Sequence, residues 1–176
     1  SDGTAVKTPG SNIFPYIQKN LDEIITVEDD ELVVAFLDMV ENHKMIVENS
    51  GLLTVAALKH LNIKDKRVVS ILSGGNMDVI TMSSVVQQGL ILRDRIFTVS
   101  VLLPDKPGEL TKVADTIAKE QGNVIKLEHN QFVSINRSAA VELRITLECF
   151  GTEHKRQIMK ALEKAQFKPK QVRTSL

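Results

Sequence analysis

Apolar and polar positions repeat with two different periods along this chain, and the change of period divides it. Up to about residue 92 the pattern is mainly helical. Leu32, Val33, Phe36, Leu37 and Val40 recur at helical spacing behind Glu28-Asp29-Asp30-Glu31, and acidic residues suit the positive end of a helix. Further helices are expected over residues 13–20 around Pro15, over the apolar stretch 52–61, and over 78–90 with Gly89 as terminator. Residues 24–27 and 68–72 are short, β-branched, apolar runs and read as strands. Residues 1–11 are small, polar and rich in glycine and proline, and read as a loop.

From about residue 93 the period shortens to two. Residues 96–103 alternate as a half-buried strand, and a turn follows at Pro104-Asp105-Lys106-Pro107-Gly108. Residues 109–120 place Leu110, Val113, Ala114 and Ile117 on one helical face, and Gln121-Gly122-Asn123 ends that helix. A strand over 124–129, a polar turn over 134–138 and a longer strand over 139–150 come next. An amphipathic helix over 152–166, capped by Thr152, and a short edge strand at 171–173 complete the set. The order β-α-β-β-α-β over about 80 residues is the ferredoxin-like arrangement.

Composition narrows the functions available. Lysine plus arginine equals aspartate plus glutamate, 22 each, so the chain has no net charge to draw it to nucleic acid or a membrane surface. Basic residues at Lys155-Arg156, Lys164, Lys168 and Lys170 are scattered, with Phe167 the one aromatic among them, which again speaks against nucleic acid. No apolar run approaches the roughly 18–20 residues of a membrane span. The one cysteine, Cys149, closes an apolar alternation and reads as a core thiol in a reducing, cytoplasmic setting. The four histidines show no metal-ligand spacing, so no metal is expected.

The most informative stretch is Ile71-Leu72-Ser73-Gly74-Gly75-Asn76-Met77-Asp78. A hydroxyl, two glycines and an amide follow the end of an apolar run, the place where open α/β sheets bind ligands. Glycines let the backbone turn sharply and approach a flat or anionic group. This stretch resembles the C-terminal signature of threonine dehydratases and serine racemases, fold-type II enzymes that use pyridoxal phosphate. The resemblance implies that Ser73 bonds the pyridine nitrogen. A neutral hydroxyl leaves that nitrogen largely unprotonated and the ring a weaker electron sink, which suits β-elimination. Gly74, Gly75 and Asn76 are the further cofactor-binding residues implied. Asp2-Gly3-Thr4 resembles the family's Asp-Gly loop, and the acidic residues after 24–27 its strand-to-helix junction. Val47-Glu48 before Gly51 resembles its glutamate turn, with Asn49 and Ser50 where many members have glycine or alanine. Glu48 reads equally as a solvated helix start or as a cofactor neighbour.

The segment Leu103-Pro104-Asp105-Lys106-Pro107-Gly108-Glu109-Leu110 resembles the first loop of ACT domains, small amino-acid-binding regulatory modules. Pro107 and Gly108 fix the turn, and the following helix offers free N–H groups to a carboxylate. Asp105 then either meets an α-ammonium or simply caps the helix. Leu110 belongs to the motif, and Asn123 would offer an amide on a neighbouring subunit. The family's catalytic lysine and glycine-rich phosphate loop have no counterpart here, so no catalytic residue is assigned and the piece is expected to be inactive alone.

The expected fold is therefore α/β: the C-terminal part of a fold-type II large domain over 1–92, then an ACT domain over 93–176. The expected function is the C-terminal and regulatory part of a threonine dehydratase, which converts threonine to 2-oxobutanoate and ammonia, and serine to pyruvate, by pyridoxal-phosphate-dependent β-elimination under amino-acid control through the ACT domain. Its partners would be small amino acids as substrate and effector, and further copies in a homodimer or homotetramer. The alternative is a free-standing amino-acid sensor or regulatory subunit without catalysis.

Overall fold

The computed structural model describes residues 6–8, 10–130 and 141–175, and the chain divides into two units, Ser1–Gly89 and Leu90–Leu176. The turn expected over 134–138 and most of the loop over 1–11 lie outside the described residues.

The first unit is helical. α1 (Phe14–Asn20) carries Pro15 in its first turn and buries nothing. α2 (Asp29–Asp38) begins where the Glu28 N–H donates to the Glu31 carboxylate at 2.8 Å, which satisfies one of the unpaired donors of a helix start. It runs on into a wider π turn, Met39–His43, that ends with Lys44 in left-handed backbone at φ 59°. α3 (Asn49–Ala56) starts three residues earlier than its apolar pattern indicated and tightens into a 3-10 turn, Ala57–His60. α4 (Val79–Leu92) follows. Leu32, Phe36, Met39, Val47, Leu52, Ala56 and Val85 form the buried cluster of this unit.

Two expectations fail in this unit. Residues 24–27 and 68–72 form no strand and join no ladder among the described residues. Val69 and Ile71 accordingly stand 88% and 72% exposed. Gly89 does not end α4 but lies buried inside it, where an added Cβ would sit 2.5 Å from Leu37 Cδ1. The glycine allows close packing; it does not stop the helix.

The second unit runs β1 (Ile96–Leu103), α5 (Glu109–Lys119), β2 (Asn123–Asn130), β3 (Val141–Glu148), α6 (Thr152–Lys164), β4 (Lys170–Val172). Its strands form one antiparallel sheet in the order β2-β3-β1-β4. Phe97, Val99 and Val101 of β1 and Leu143, Ile145 and Leu147 of β3 pack against Val113 and Ile117 of α5 and Ile158 and Leu162 of α6. β1 was expected to be half-buried, yet only Leu102 is exposed. Its polar positions are paired across the sheet: Thr98 with the Thr146 hydroxyl at 2.9 Å, and the Ser100 hydroxyl donating to Glu142 at 2.6 Å. Buried polar groups persist where they find such partners. Cys149 is buried, as expected, and burial pushes its thiol up.

Helix ends from α4 onward follow one rule. α4, α5 and α6 all finish with a left-handed, non-glycine residue: Asp94 (φ 55°), Gln121 (φ 62°) and Gln166 (φ 67°). In each case the next residue bonds back to the carbonyl five positions earlier, as Arg95 N–H does to Leu90 at 2.8 Å. Gly122 is thus not the left-handed residue; a Cβ there would meet Ile117 Cγ2 at 2.8 Å. Thr152 is not a cap either. Gly151 holds the N-cap position, and the Thr152 hydroxyl donates to Asp94 at 2.8 Å.

Candidate functional sites

In the first unit, Ser73-Gly74-Gly75-Asn76 forms a loop held at both ends. Leu72 before it and Met77 after it pack against the buried cluster of α2, α3 and α4. Along its length α3 grips the chain directly. The Thr54 hydroxyl donates to the Ile71 carbonyl at 2.9 Å, and the Glu48 N–H donates to the Gly74 carbonyl at 3.4 Å. Gly51 lies so close that a Cβ would collide with the Ser73 carbonyl oxygen and stand 2.7 Å from Val47 Cγ1.

Gly74 adopts φ +81°, a conformation glycine takes without strain, and a Cβ there would fall on the Glu48 carboxylate. Glu48 stands at the N-cap position of α3, half-buried. Its carboxylate lies against the loop and accepts the Ser50 hydroxyl at 2.7 Å. At Gly75 an added Cβ meets only the Ile46 carbonyl, at 3.6 Å. The structure thus brings Ser73, Gly74 and Glu48 together. Asn76 sits in the same loop but is exposed, without a hydrogen bond among the described residues. Beyond it Asp78 caps α4, accepting the Ile80 and Thr81 N–H groups at 2.9 Å each. The Thr81 hydroxyl and then these N–H groups hold the Asp78 carboxyl below its ordinary range.

Sequence reasoning did not single out Gly51 and Thr54. A glycine within an otherwise apolar helix was the available signal, since such a residue commonly marks a close approach.

The second site lies in the other unit, a cavity of about 300 Å³ at the start of α5. Asp105, Pro107, Gly108 and Leu110 line it, with Leu103, His129, Val141 and Leu143. Gly108 is the α5 N-cap at φ 90°, and no side chain caps the helix. Asp105 is therefore not a cap; it stays on the cavity wall. Asn123 is not brought to this cavity within the chain, and its amide donates to Glu148 at 3.1 Å. His129 was not anticipated. The alternation of β2 held the signal, because His129 pairs with the core-facing Leu143.

No group of three or more metal-ligating side chains occurs among the described residues. Among the same residues no helix is long and apolar enough to cross a membrane.

A neutral, exposed hydroxyl on a loop turned by glycine, backed by a helix start, suits the pyridine edge of a planar cofactor. Residues 1–74 match the family described as pyridoxal-phosphate dependent enzymes. The chain is 36% identical over 165 residues to an L-threonine ammonia-lyase of Geobacter sulfurreducens, covering 93% of this chain and 41% of that protein. It is 31% identical over 163 residues to the L-threonine ammonia-lyase of Thermotoga maritima, again over 41% of its length. A biosynthetic L-threonine dehydratase of Pasteurella multocida is 29% identical over 167 residues. Residues 1–74 thus resemble the pyridoxal-phosphate-dependent enzymes, and the chain is similar by sequence to threonine ammonia-lyases and dehydratases. It spans about two-fifths of the length of the first two.

The family's cofactor fits what this loop offers. Ser73 brings a hydrogen-bonding group without charge, unengaged among the described residues, and Gly74 and Gly75 bring no side chain that would block a ring.

Proposed function

We propose that this chain is the C-terminal and regulatory part of a pyridoxal-phosphate-dependent threonine dehydratase, deaminating L-threonine to 2-oxobutanoate and ammonia, and serine to pyruvate. The observation that carries the reading is the loop 73–76, held by Glu48, Gly51 and Thr54, with the Ser73 hydroxyl unengaged among the described residues. The relatives' names agree with it.

When bound, pyridoxal phosphate supplies an electron sink for loss of the α-proton and departure of the β-hydroxyl. Ser73 would hold its pyridine edge with a neutral hydrogen bond. Gly74 and Gly75 leave the ring space, while Glu48 braces the loop from behind. In the full-length enzyme, Ser73→Ala should lower kcat by at least about tenfold with folding intact, since an electronic contact acts on the chemical step. Unchanged turnover would remove the pyridine contact from the proposal.

Residues 93–176 would act as an ACT regulatory domain after a catalytic part ending near residue 92. The α5 N-terminus offers backbone N–H groups to an effector carboxylate, and Asp105 offers an anion to its ammonium. Leu103, Leu110, Val141 and Leu143 form an aliphatic wall for its side chain. β2 is an edge strand with Val124, Ile125 and Leu127 partly exposed, which suits pairing between copies in a homodimer or homotetramer. Calorimetric titration with isoleucine, valine, threonine and serine tests the cavity. Saturable binding of one, weakened about tenfold or more in Asp105→Ala, supports the site. Binding that survives the substitution unchanged relocates it.

A further inference from the structure

A second cavity in the same unit belongs to neither site. It has a volume of about 450 Å³ and opens where the end of α5 meets the start of α6. Phe150, just beyond β3, lies on its wall, whereas Val141, at the other end of that strand, lines the first cavity. An eight-residue strand separates them by roughly 25 Å.

Phe150 is 82% exposed, although the chain buries Phe36 and Phe97 almost completely. Its exposure is not the result of a floppy loop. The ring stacks on His154 with centroids 4.9 Å apart and planes inclined by 15°. His154 is itself fixed from both sides. The Phe150 N–H donates to Nδ1 at 3.0 Å, and Nε2 donates to the Glu120 carbonyl at 2.5 Å. Those two bonds define one neutral tautomer, which ties the β3–α6 connection to the end of α5. A rigidly held, exposed aromatic ring thus forms part of the wall of an open cavity.

The rest of the wall is rich in acceptors. Glu120 and Glu153 line it, and the C-terminal end of α5 brings the negative pole of that helix. Lys119 opposes this, and Arg156 already meets Glu153 at 3.0 Å. That pair is largely exposed on both sides and holds weakly, so a ligand can compete for it.

We propose that this cavity binds a guanidinium group, stacked on Phe150 and paired with the carboxylates of Glu120 and Glu153. A guanidinium is planar, so it can lie on the ring, and it carries only donors, which match the acceptors around it. An ammonium has the charge without the plane. A carboxylate or phosphate meets the wrong sign. The site is independent of the cofactor loop and of the Asp105 cavity, and it serves arginine either as a free metabolite or as a side chain of a partner.

Titration of the whole chain with ethylguanidinium, followed through the backbone amide signals of Gln121, Phe150 and Gly151, tests this. Saturable shifts are expected there, with at least tenfold weaker binding of propylammonium. Phe150→Ala should weaken ethylguanidinium at least tenfold and Phe150→Tyr should retain it; an 82% exposed side chain can be removed without unfolding the unit. Equal response to the two cations, or full binding by Phe150→Ala, overturns the proposal. Free arginine compared with its N-acetyl, N′-methylamide form separates the two sources. Preference for the free amino acid indicates a metabolite, and equal binding indicates a side chain.

Discussion

The two units meet the same physical demand with opposite results. In Leu90–Leu176 every described strand pairs, and the polar residues of its central strands find partners across the sheet. In Ser1–Gly89 two runs of strand-like sequence have no ladder, and Ile24, Val69, Ile71, Val79 and Ile80 are each more than 70% exposed. Composition does not distinguish such runs from β1; the availability of a neighbouring strand does. A β-branched, apolar run states a preference for a pleated, covered surface, and only tertiary structure can supply that surface. On the proposed reading the covering surface lies in the rest of the enzyme. The closed unit should therefore unfold cooperatively on its own terms, while the first unit's stability resides in its helix cluster and in the clasp around Ser73.

Two substitutions test that difference. Ile158→Ala empties part of a fully buried core and should cost the second unit about 3–4 kcal/mol. Amide protection in β1 and β3 should fall together, with little change in α2 and α3. Loss spreading equally into α2 would show that the units do not unfold separately. Gly51→Ala forces a methyl group onto the Ser73 carbonyl and Val47, at a cost of about 2–3 kcal/mol. Here protection should fall in α3 and around residues 71–77 and survive in the sheet. A Gly51→Ala chain as stable as the parent would mean that α3 does not clasp the loop.

The sequence carried the second unit almost completely, because alternation, turn residues and helical faces agreed there and no missing partner was needed. The order of elements along the chain and the Asp105 turn were legible for that reason. Three kinds of feature were not. Gly89 and Gly122 looked like helix stops, but each is required because a neighbour, Leu37 or Ile117, occupies the space of its Cβ. Linear sequence records that a residue is small and not whether conformation or contact demands it. Thr152 looked like a cap, yet its hydroxyl serves Asp94, a residue 58 positions away. Ser73, Gly74 and Glu48 were all named from the sequence, but Gly51 and Thr54, which hold them together, act through tertiary contacts alone.

A smaller effect sharpens the comparison through pH. Burial by itself would raise the Asp94 carboxyl, but hydrogen bonds from Lys155 at 2.6 Å and from Thr152 outweigh it and hold the group below its ordinary value. A carboxyl depressed in the folded state stabilises it above the unfolded pKa, near 4, and that contribution is lost as pH falls through the folded value. Glu142 behaves alike, lowered first by the Ser100 hydroxyl against burial. The second unit should thus lose stability below about pH 4, and Asp94→Asn should flatten part of that slope while costing about 1–2 kcal/mol at neutral pH. In the first unit the depressed carboxyls, Glu31 and Asp78, are solvated at helix starts, so screening by salt should blunt their share. Thermal midpoints of the parent and Asp94→Asn chains across pH 3–7 decide it; parallel curves would remove Asp94 from the acid response.

The smallest effect concerns the left-handed residues that close α4 and α6. Gln166 stands at φ 67° after α6, and its N–H donates to the Glu163 carbonyl at 2.9 Å. Left-handed backbone costs a side-chain-bearing residue about 1 kcal/mol, which glycine avoids. Glycine also gives the unfolded chain more freedom, an opposing effect of about 0.4–1 kcal/mol. Gln166→Gly should therefore change stability by no more than about 0.5 kcal/mol, with stabilisation the expected sign. Asp94→Gly relieves the same strain but removes the bonds to Lys155 and Thr152, so it should destabilise. Opposite signs at two positions of like backbone would show that Asp94 is kept for its carboxylate and Gln166 is merely tolerated. Equal signs would mean that conformation outweighs the contacts at both, and that the clamp on Asp94 adds little to the unit.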